Sequence, residues 1–242
     1  MTRLFLFPFA GGSSQALRRF AAGFTLPVKV EFLDYPGHGR RFGESLLHST
    51  QAMADDALAR MREAIAANRE PYALFGHSLG AQVAFLVARR IQREGLPSPE
   101  RLFVSARRAP SLLEDKRLWS SYSDAELTGT IRDLGGTPPE VLESPELLEL
   151  FLPILRADIS ALENGNPESP GGLAIPITVL RGRDDDVSAE GALAWSRETS
   201  AGCDQFVFPG GHFFVLDHSA MVAERISDCL RVSPSSFSRR KP

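Results

Sequence analysis

Six short apolar runs recur along the chain: "RLFLF" (3–7), "VKVEFLD" (28–34), "YALFG" (72–76), "RLFVSA" (101–106), "PITVLRG" (176–182) and "QFVFPG" (205–210). Helical patterns separate them. A strand exposed on one face alternates apolar and polar residues, whereas a near-continuous apolar strand is covered on both faces. Helices between parallel strands supply that cover, so the pattern predicts an α/β fold with a mostly parallel central sheet and helices on both of its faces. Between the second and third runs, Met53, Ala57, Leu58, Met61 and Ile65 fall at helical spacing. They predict an amphipathic crossover helix over about residues 50–68, with Ser49 or Thr50 as its N-cap.

The texture changes between residues 106 and 176. Here "DAELTGTIRDLGG" and "SPELLELFLPILRADISALE", broken by Pro and Gly, predict several short helices and no strand, in an insertion of roughly 60 residues. That is long for a plain connection. We read it as a helical lid over about residues 111–168 of a single domain spanning 1–232, the alternative being an ordinary crossover with an extra helix. Trp119, Tyr122, Phe151 and Leu152 are its candidates for shaping a chamber, and a core role fits each of them equally. The remaining "SPSSFSRRKP" (233–242) is polar and basic without periodicity, and is expected to be a disordered tail.

Composition narrows the function classes. The net charge of −3, with signs interspersed, leaves no basic stripe to follow a phosphate backbone, so nucleic acid is not an expected partner. The N-terminal "LFLFPFA" is interrupted by Pro8 and falls far short of the ~20 apolar residues of a membrane helix. It also lacks the length and cleavage site of a signal peptide. No membrane partner is expected. Cys203 and Cys229 form no CxxC pair and are too few for a zinc site, so neither disulfide nor metal is expected, and the usage fits a reducing, cytoplasmic setting.

One hydroxyl stands out against this background. "GHSLG" (76–80) lies between an apolar strand and a core helix, which leaves almost no residues for reversing direction. The turn must be tight and its middle residue strained. Gly76 and Gly80 relieve crowding across the bend, and Ser78 then projects from the carboxyl edge of the sheet, where open α/β folds bind ligands. The helix that starts there aims unpaired N–H groups at the same place, Leu79 first among them. The bare pattern G-x-S-x-G is a weak signal, but strand and helix on either side are the context it requires. A glycine turn whose serine merely caps the helix is the alternative.

A serine hydroxyl attacks at neutral pH only when a base takes its proton and a carboxylate orients that base. Of the five histidines, His212 in "VFPGGHFFVLDH" follows the last β-rich run through a Pro-Gly-Gly loop and is the best placed base. His77 neighbours the serine but projects elsewhere, and His48 and His218 fall at expected helix starts. The carboxylate should follow a strand between serine and histidine in chain order. "RGRDDDV" offers Asp184, Asp185 and Asp186; the G-x-x-D spacing from Gly182 favours Asp185, with the other two left open. A second oxyanion donor is expected from the loop "FPFAGGSS", where Ala10 precedes two glycines and Ser13 or Ser14 can cap the next helix.

Taken together, "FPFAGGS", "DYPGHGRR" (34–41), "FGHSLGA" (75–81), "RGRDDD" (181–186) and "PGGHFF" (209–214) run in order over nearly the whole chain. The set resembles the stand-alone type II thioesterases that accompany polyketide synthases and nonribosomal peptide synthetases. Family members often read D-D-P-x-V after the glycine, whereas here Asp186 runs straight into Val187. The resemblance implies an α/β-hydrolase fold with a helical lid. It implies hydrolysis of acyl or aminoacyl thioesters carried on the phosphopantetheine arm of acyl or peptidyl carrier protein domains, removing stalled or wrong loads. Ser78, Asp185 and His212 would form the triad, and the Ala10 and Leu79 amides the oxyanion hole. No cofactor of the enzyme's own is implied, since the phosphopantetheine arrives with the substrate. A monomer is expected. The "PGHGRR" hallmark, with His38, Arg40 and Arg41, receives no chemistry from this reading and is taken as support for the serine loop.

Overall fold

The computed structural model describes residues 1–25, 27–67, 70–112, 118–165 and 172–231. The expected tail at 233–242 and parts of the expected lid lie outside them. Six strands, β1 (Thr2–Phe7), β2 (Val28–Phe32), β3 (Tyr72–His77), β4 (Leu102–Ser105), β5 (Ile177–Gly182) and β6 (Cys203–Phe208), form one parallel sheet in the order β2-β1-β3-β4-β5-β6. Each strand matches one of the apolar runs. The boundaries differ slightly: β3 runs on to His77, and β6 starts at Cys203 and stops before Pro209, which has no N–H to give the ladder.

The period of two in a strand sorts the core into two layers. From β1, Phe5 and Phe7 face one layer while Leu4 and Leu6 face the other; from β3, Leu74 faces the first and Ala73 and Phe75 the second. The first layer is closed by α2 (Thr50–Ala66) and α3 (Leu79–Arg93), the second by α1 (Arg18–Ala21), α8 (Phe214–Asp217) and α9 (Ser219–Arg231). Central strands are thus buried on both sides, as their unbroken apolar runs require. Ser49 caps α2 by accepting from the Ala52 N–H.

Between β4 and β5 the described residues form a 3-10 turn (Trp119–Ser121) and three helices, α4 (Asp124–Leu134), α5 (Pro139–Glu143) and α6 (Pro145–Glu163). They contain no strand, only an isolated bridge from Leu173 to Thr199. One expectation is corrected in part: α6 is a single helix of 19 residues rather than a short one. Leu127, Ile131, Leu152, Leu155 and Ile159 give these helices a small core of their own. The short α7 (Ala189–Leu193) follows β5.

The sheet order also fixes where a ligand can sit. The chain leaves β1 for β2 on one side and returns to β3 on the other. Loops at the carboxyl ends of β1 and β3 therefore part in opposite directions and open a crevice between them.

Candidate active site

Ser78 stands at that crevice, between the last residue of β3 and the first of α3, with φ 55° and ψ −113°. Only Ala106, at the end of neighbouring β4, shares a positive φ among the described non-glycine residues. Such strain persists only where surrounding contacts over-determine it. Here the Ser78 N–H donates to the Ser105 carbonyl at 2.8 Å, tying the bend to β4. The glycines are sterically required: a Cβ on Gly76 would overlap the Gly80 carbonyl, and one on Gly80 would overlap the Phe7 carbonyl and lie 2.6 Å from that of Pro8. Leu79, as the first residue of α3, has an amide with no intrahelical partner.

His212 and Asp185 meet from two different loops. Imidazole Nδ1 lies 3.0 Å from Oδ1 of Asp185, whose side chain is fully buried. A carboxylate can only accept, so Nδ1 carries the proton and Nε2 of the neutral ring is left as the basic nitrogen. Of the three candidate aspartates, Asp184 and Asp186 are exposed and Asp185 is the one bonded to the histidine. The Arg183 and Asp184 amides bond to the Phe208 and Gly210 carbonyls and zip the two loops together. Gly182 makes this closure possible, since a Cβ there would lie 2.6 Å from the Gly210 carbonyl.

His77 is completely buried, with Nδ1 2.9 Å from the Ser105 hydroxyl and its ring 5.3 Å from that of His212. Burial, and then the charge of His212, hold its pKa well below the usual histidine range, so it is a neutral packing element. His48 is exposed just ahead of the Ser49 cap, and His218 lies between α8 and α9.

The loop after β1 departs from expectation in one respect. Neither Ser13 nor Ser14 caps α1, which has no side-chain cap. Ser14 instead gives both its N–H and its hydroxyl to the buried carboxylate of Asp34, one donor to each oxygen. Gly11, the next residue after Ala10, donates its N–H to Oδ2 of Asp158 on α6 at 2.8 Å, and the same oxygen lies 2.9 Å from Nε2 of His38. His38 thus supports the Ala10 loop rather than the serine turn. Asp158 was not singled out from the sequence; its one signal there is a carboxylate that falls at helical spacing between the apolar residues Leu155 and Ile159.

Ser78, His212, Asp185 and Ala10 line one cavity of about 330 Å³. Its walls come from α4 and α6 (Ile131, Leu134, Leu155, Ile159, Leu162), from Trp119, and from Phe9 and Phe213; Gln82, Arg107, Arg108 and Glu163 supply polar points. Of the four chamber candidates, Trp119 alone lines it. Tyr122 is exposed, Leu152 belongs to the core of the inserted helices, and Phe151 packs on Gly11. Sequence gave no means of choosing among them, because the wall is set by which face of each helix turns inward.

A strained serine and an imidazole held by a carboxylate, on the wall of one largely apolar cavity, form an arrangement suited to acyl transfer. Comparison with known proteins agrees. The chain matches the thioesterase domain family model over residues 2–230. It is 37% identical to thioesterase PikA5 of Streptomyces venezuelae over 96% of this chain and 82% of that one. It is 30% identical to the gramicidin S biosynthesis protein GrsT of Aneurinibacillus migulanus, over 95% and 89% respectively. Among solved structures, the type II thioesterase BorB from the borrelidin biosynthetic cluster superposes with a TM-score of 0.83 at 36% identity, covering 94% of this chain and 91% of that one. With its parallel sheet, its serine turn and a match that spans nearly every residue, the chain belongs to the thioesterase family of α/β-hydrolase fold.

Proposed function

We propose that this thioesterase is a type II, editing enzyme. It hydrolyses acyl or aminoacyl thioesters from the phosphopantetheine arm of acyl or peptidyl carrier domains in polyketide or nonribosomal peptide biosynthesis. The observation that carries the reading is the apolar cavity on which Ser78, His212 and its partner Asp185 converge. In the proposed cycle, Ser78 Oγ attacks the thioester carbonyl while Nε2 of His212 takes its proton, and Asp185 holds the tautomer. The Ala10 and Leu79 amides stabilise the oxyanion, each donor contributing about 3–4 kcal/mol in comparable sites. The C–S bond breaks, the thiol leaves with the proton from His212, and water activated by the same imidazole cleaves the acyl-serine to the free acid.

No cofactor of its own enters this cycle. Among the described residues no helix is long and apolar enough to cross a membrane. The test is turnover of a panel of acyl-loaded carrier proteins against the matching acyl-CoA and a simple ester, with Ser78→Ala as control. Faster turnover of the carrier-bound thioester supports the reading. Equal or faster turnover of acyl-CoA or ester makes the chain a general thioesterase or carboxylesterase. Failure of Ser78 to react with a fluorophosphonate would make it a non-catalytic receptor.

A further inference from the structure

The motif "DYPGHGRR" takes no part in the cycle above, yet its histidine is 2% exposed and tightly bonded. Both ring nitrogens of His38 face oxygens: Nδ1 lies 3.0 Å from the Pro36 carbonyl and Nε2 2.9 Å from Oδ2 of Asp158. A carbonyl and a carboxylate can only accept, so both nitrogens carry protons and the two side chains form an imidazolium–carboxylate pair. Burial opposes the charge, but the hydrogen bond and charge of Asp158 outweigh it and raise the His38 pKa above its ordinary value.

Such a pair is an expensive way to fill space. Asp158 is 0% exposed, and its Oδ1 has no hydrogen-bond partner among the described residues. An apolar residue would pack at least as well, because buried ion pairs commonly stabilise less than the hydrophobic residues that could replace them. What no apolar residue could do is hold the Gly11 N–H, which donates to Oδ2 of Asp158 at 2.8 Å. Leu155 and Phe151, one and two turns before Asp158 on the same face of α6, also pack on Gly11: a Cβ there would lie 2.7 Å from the Phe151 ring. Gly11 is therefore seated against α6 through both its N–H and its Cα. Further along, Gly12 N–H bonds to the Phe9 carbonyl at 2.8 Å, and Asp34 holds Ser14. Ala10, between these anchors, has little freedom to rotate its peptide planes.

We propose that Asp158, charged and held in place by His38, is a positioning residue that sets the Ala10 amide for oxyanion binding and joins the cavity-wall helix α6 to that amide. The inference rests on the reading of Ala10 as an oxyanion donor. It assigns a role in catalysis to the histidine motif after β2, acting through Asp158 and Gly11, without contact with the substrate.

The test is Asp158→Ala and Asp158→Asn, assayed for thioester hydrolysis beside wild type and Ser78→Ala, with kcat expressed per serine titrated to completion by a fluorophosphonate. Since losing one oxyanion donor costs about 10²–10³ in kcat, displacing one should lower kcat about 30- to 100-fold in Asp158→Ala, with KM changed less than about 2-fold. Asp158→Asn keeps an oxygen for the Gly11 N–H but not the charge, and should lose about 5-fold on the same grounds. Affinity for an alkyl boronic acid, whose serine adduct places an oxygen in the oxyanion position, should fall in parallel, while affinity for the carboxylic acid product stays unchanged. Asp158→Ala within about 2-fold of wild type per titrated serine overturns the inference, as does a loss confined to the titratable fraction. If Asp158→Ala does not fold, Asp158→Asn decides by the same threshold. Hydrolysis retained by Ser78→Ala would instead overturn the reading beneath it.

Discussion

Substituting Gly76 with alanine tests how closely the reactive serine depends on backbone contact between β3 and α3. The added Cβ would overlap the Gly80 carbonyl and lie 2.5 Å from the Ala81 nitrogen, where ordinary contact begins at 3.4 Å, so the first turn of α3 must withdraw by about 1 Å. It has nowhere to go. Leu79, Ala81 and Val83 are fully buried, and Gly80 already lies against the Phe7 and Pro8 carbonyls on the far side. Overpacking a core costs about 1–3 kcal/mol, and with backbone on both sides the upper end applies. For a chain of this size, at about 2–4 °C per kcal/mol, that lowers Tm by about 6–12 °C. The Leu79 amide and Ser78 move with the helix, and a misplacement of about 1 Å costs on the order of 10² in rate. Calorimetry and steady-state hydrolysis of an acyl thioester measure the two effects separately. A Gly76→Ala protein melting within about 2 °C of wild type and turning over within about threefold would refute the argument from crowding.

Gly129→Ala is the opposite case: nothing lies within 4 Å of its Cβ position, on α4, so the helix should gain about 0.5–1 kcal/mol and Tm should rise rather than fall in the same calorimetric scan. Asp185→Asn presents an amide donor or a weaker acceptor to His212 Nδ1 and lets the proton move to Nε2; kcat should drop about 10³- to 10⁴-fold with Tm little changed, and a loss below about tenfold would count against the proposed tautomer control. His77 is neutral when folded because burial, then His212, depress its pKa below 6.5, so the unfolded chain binds the extra proton. Its contribution is fully present above pH 6.5 and is lost as pH falls below it, by up to about 1.4 kcal/mol per pH unit. His77→Gln should therefore flatten the fall of Tm between about pH 6.5 and 5, and an unchanged slope would assign the acid sensitivity elsewhere.

Local patterning made much of this protein readable. Leu4 to Phe7, Ala73 to Phe75 and Leu102 to Val104 are apolar without interruption because both faces of their strands are covered. Gly76, Ser78 and Gly80 could be read as a strained bend because steric demand at a strand-to-helix turn is a property of adjacent residues. Ser49 as a cap is equally local. The lining of the cavity was not readable, as Tyr122 and Leu152 illustrate, because amphipathic helices reveal that they bury a face without revealing against what.

From sequence alone came a parallel sheet, the serine turn, and three adjacent aspartates ahead of a histidine loop, all consequences of short-range periodicity and backbone sterics. Tertiary structure decided that Asp185 is the aspartate that meets His212, and that Asp34 takes both donors of Ser14. It alone joined His38 to Asp158, 120 residues away, and both to Gly11. The reason is that a buried charge leaves no periodic trace in its neighbours: its partner is whichever donor the packed chain brings within about 3 Å, and only the folded arrangement of helices over the sheet selects it.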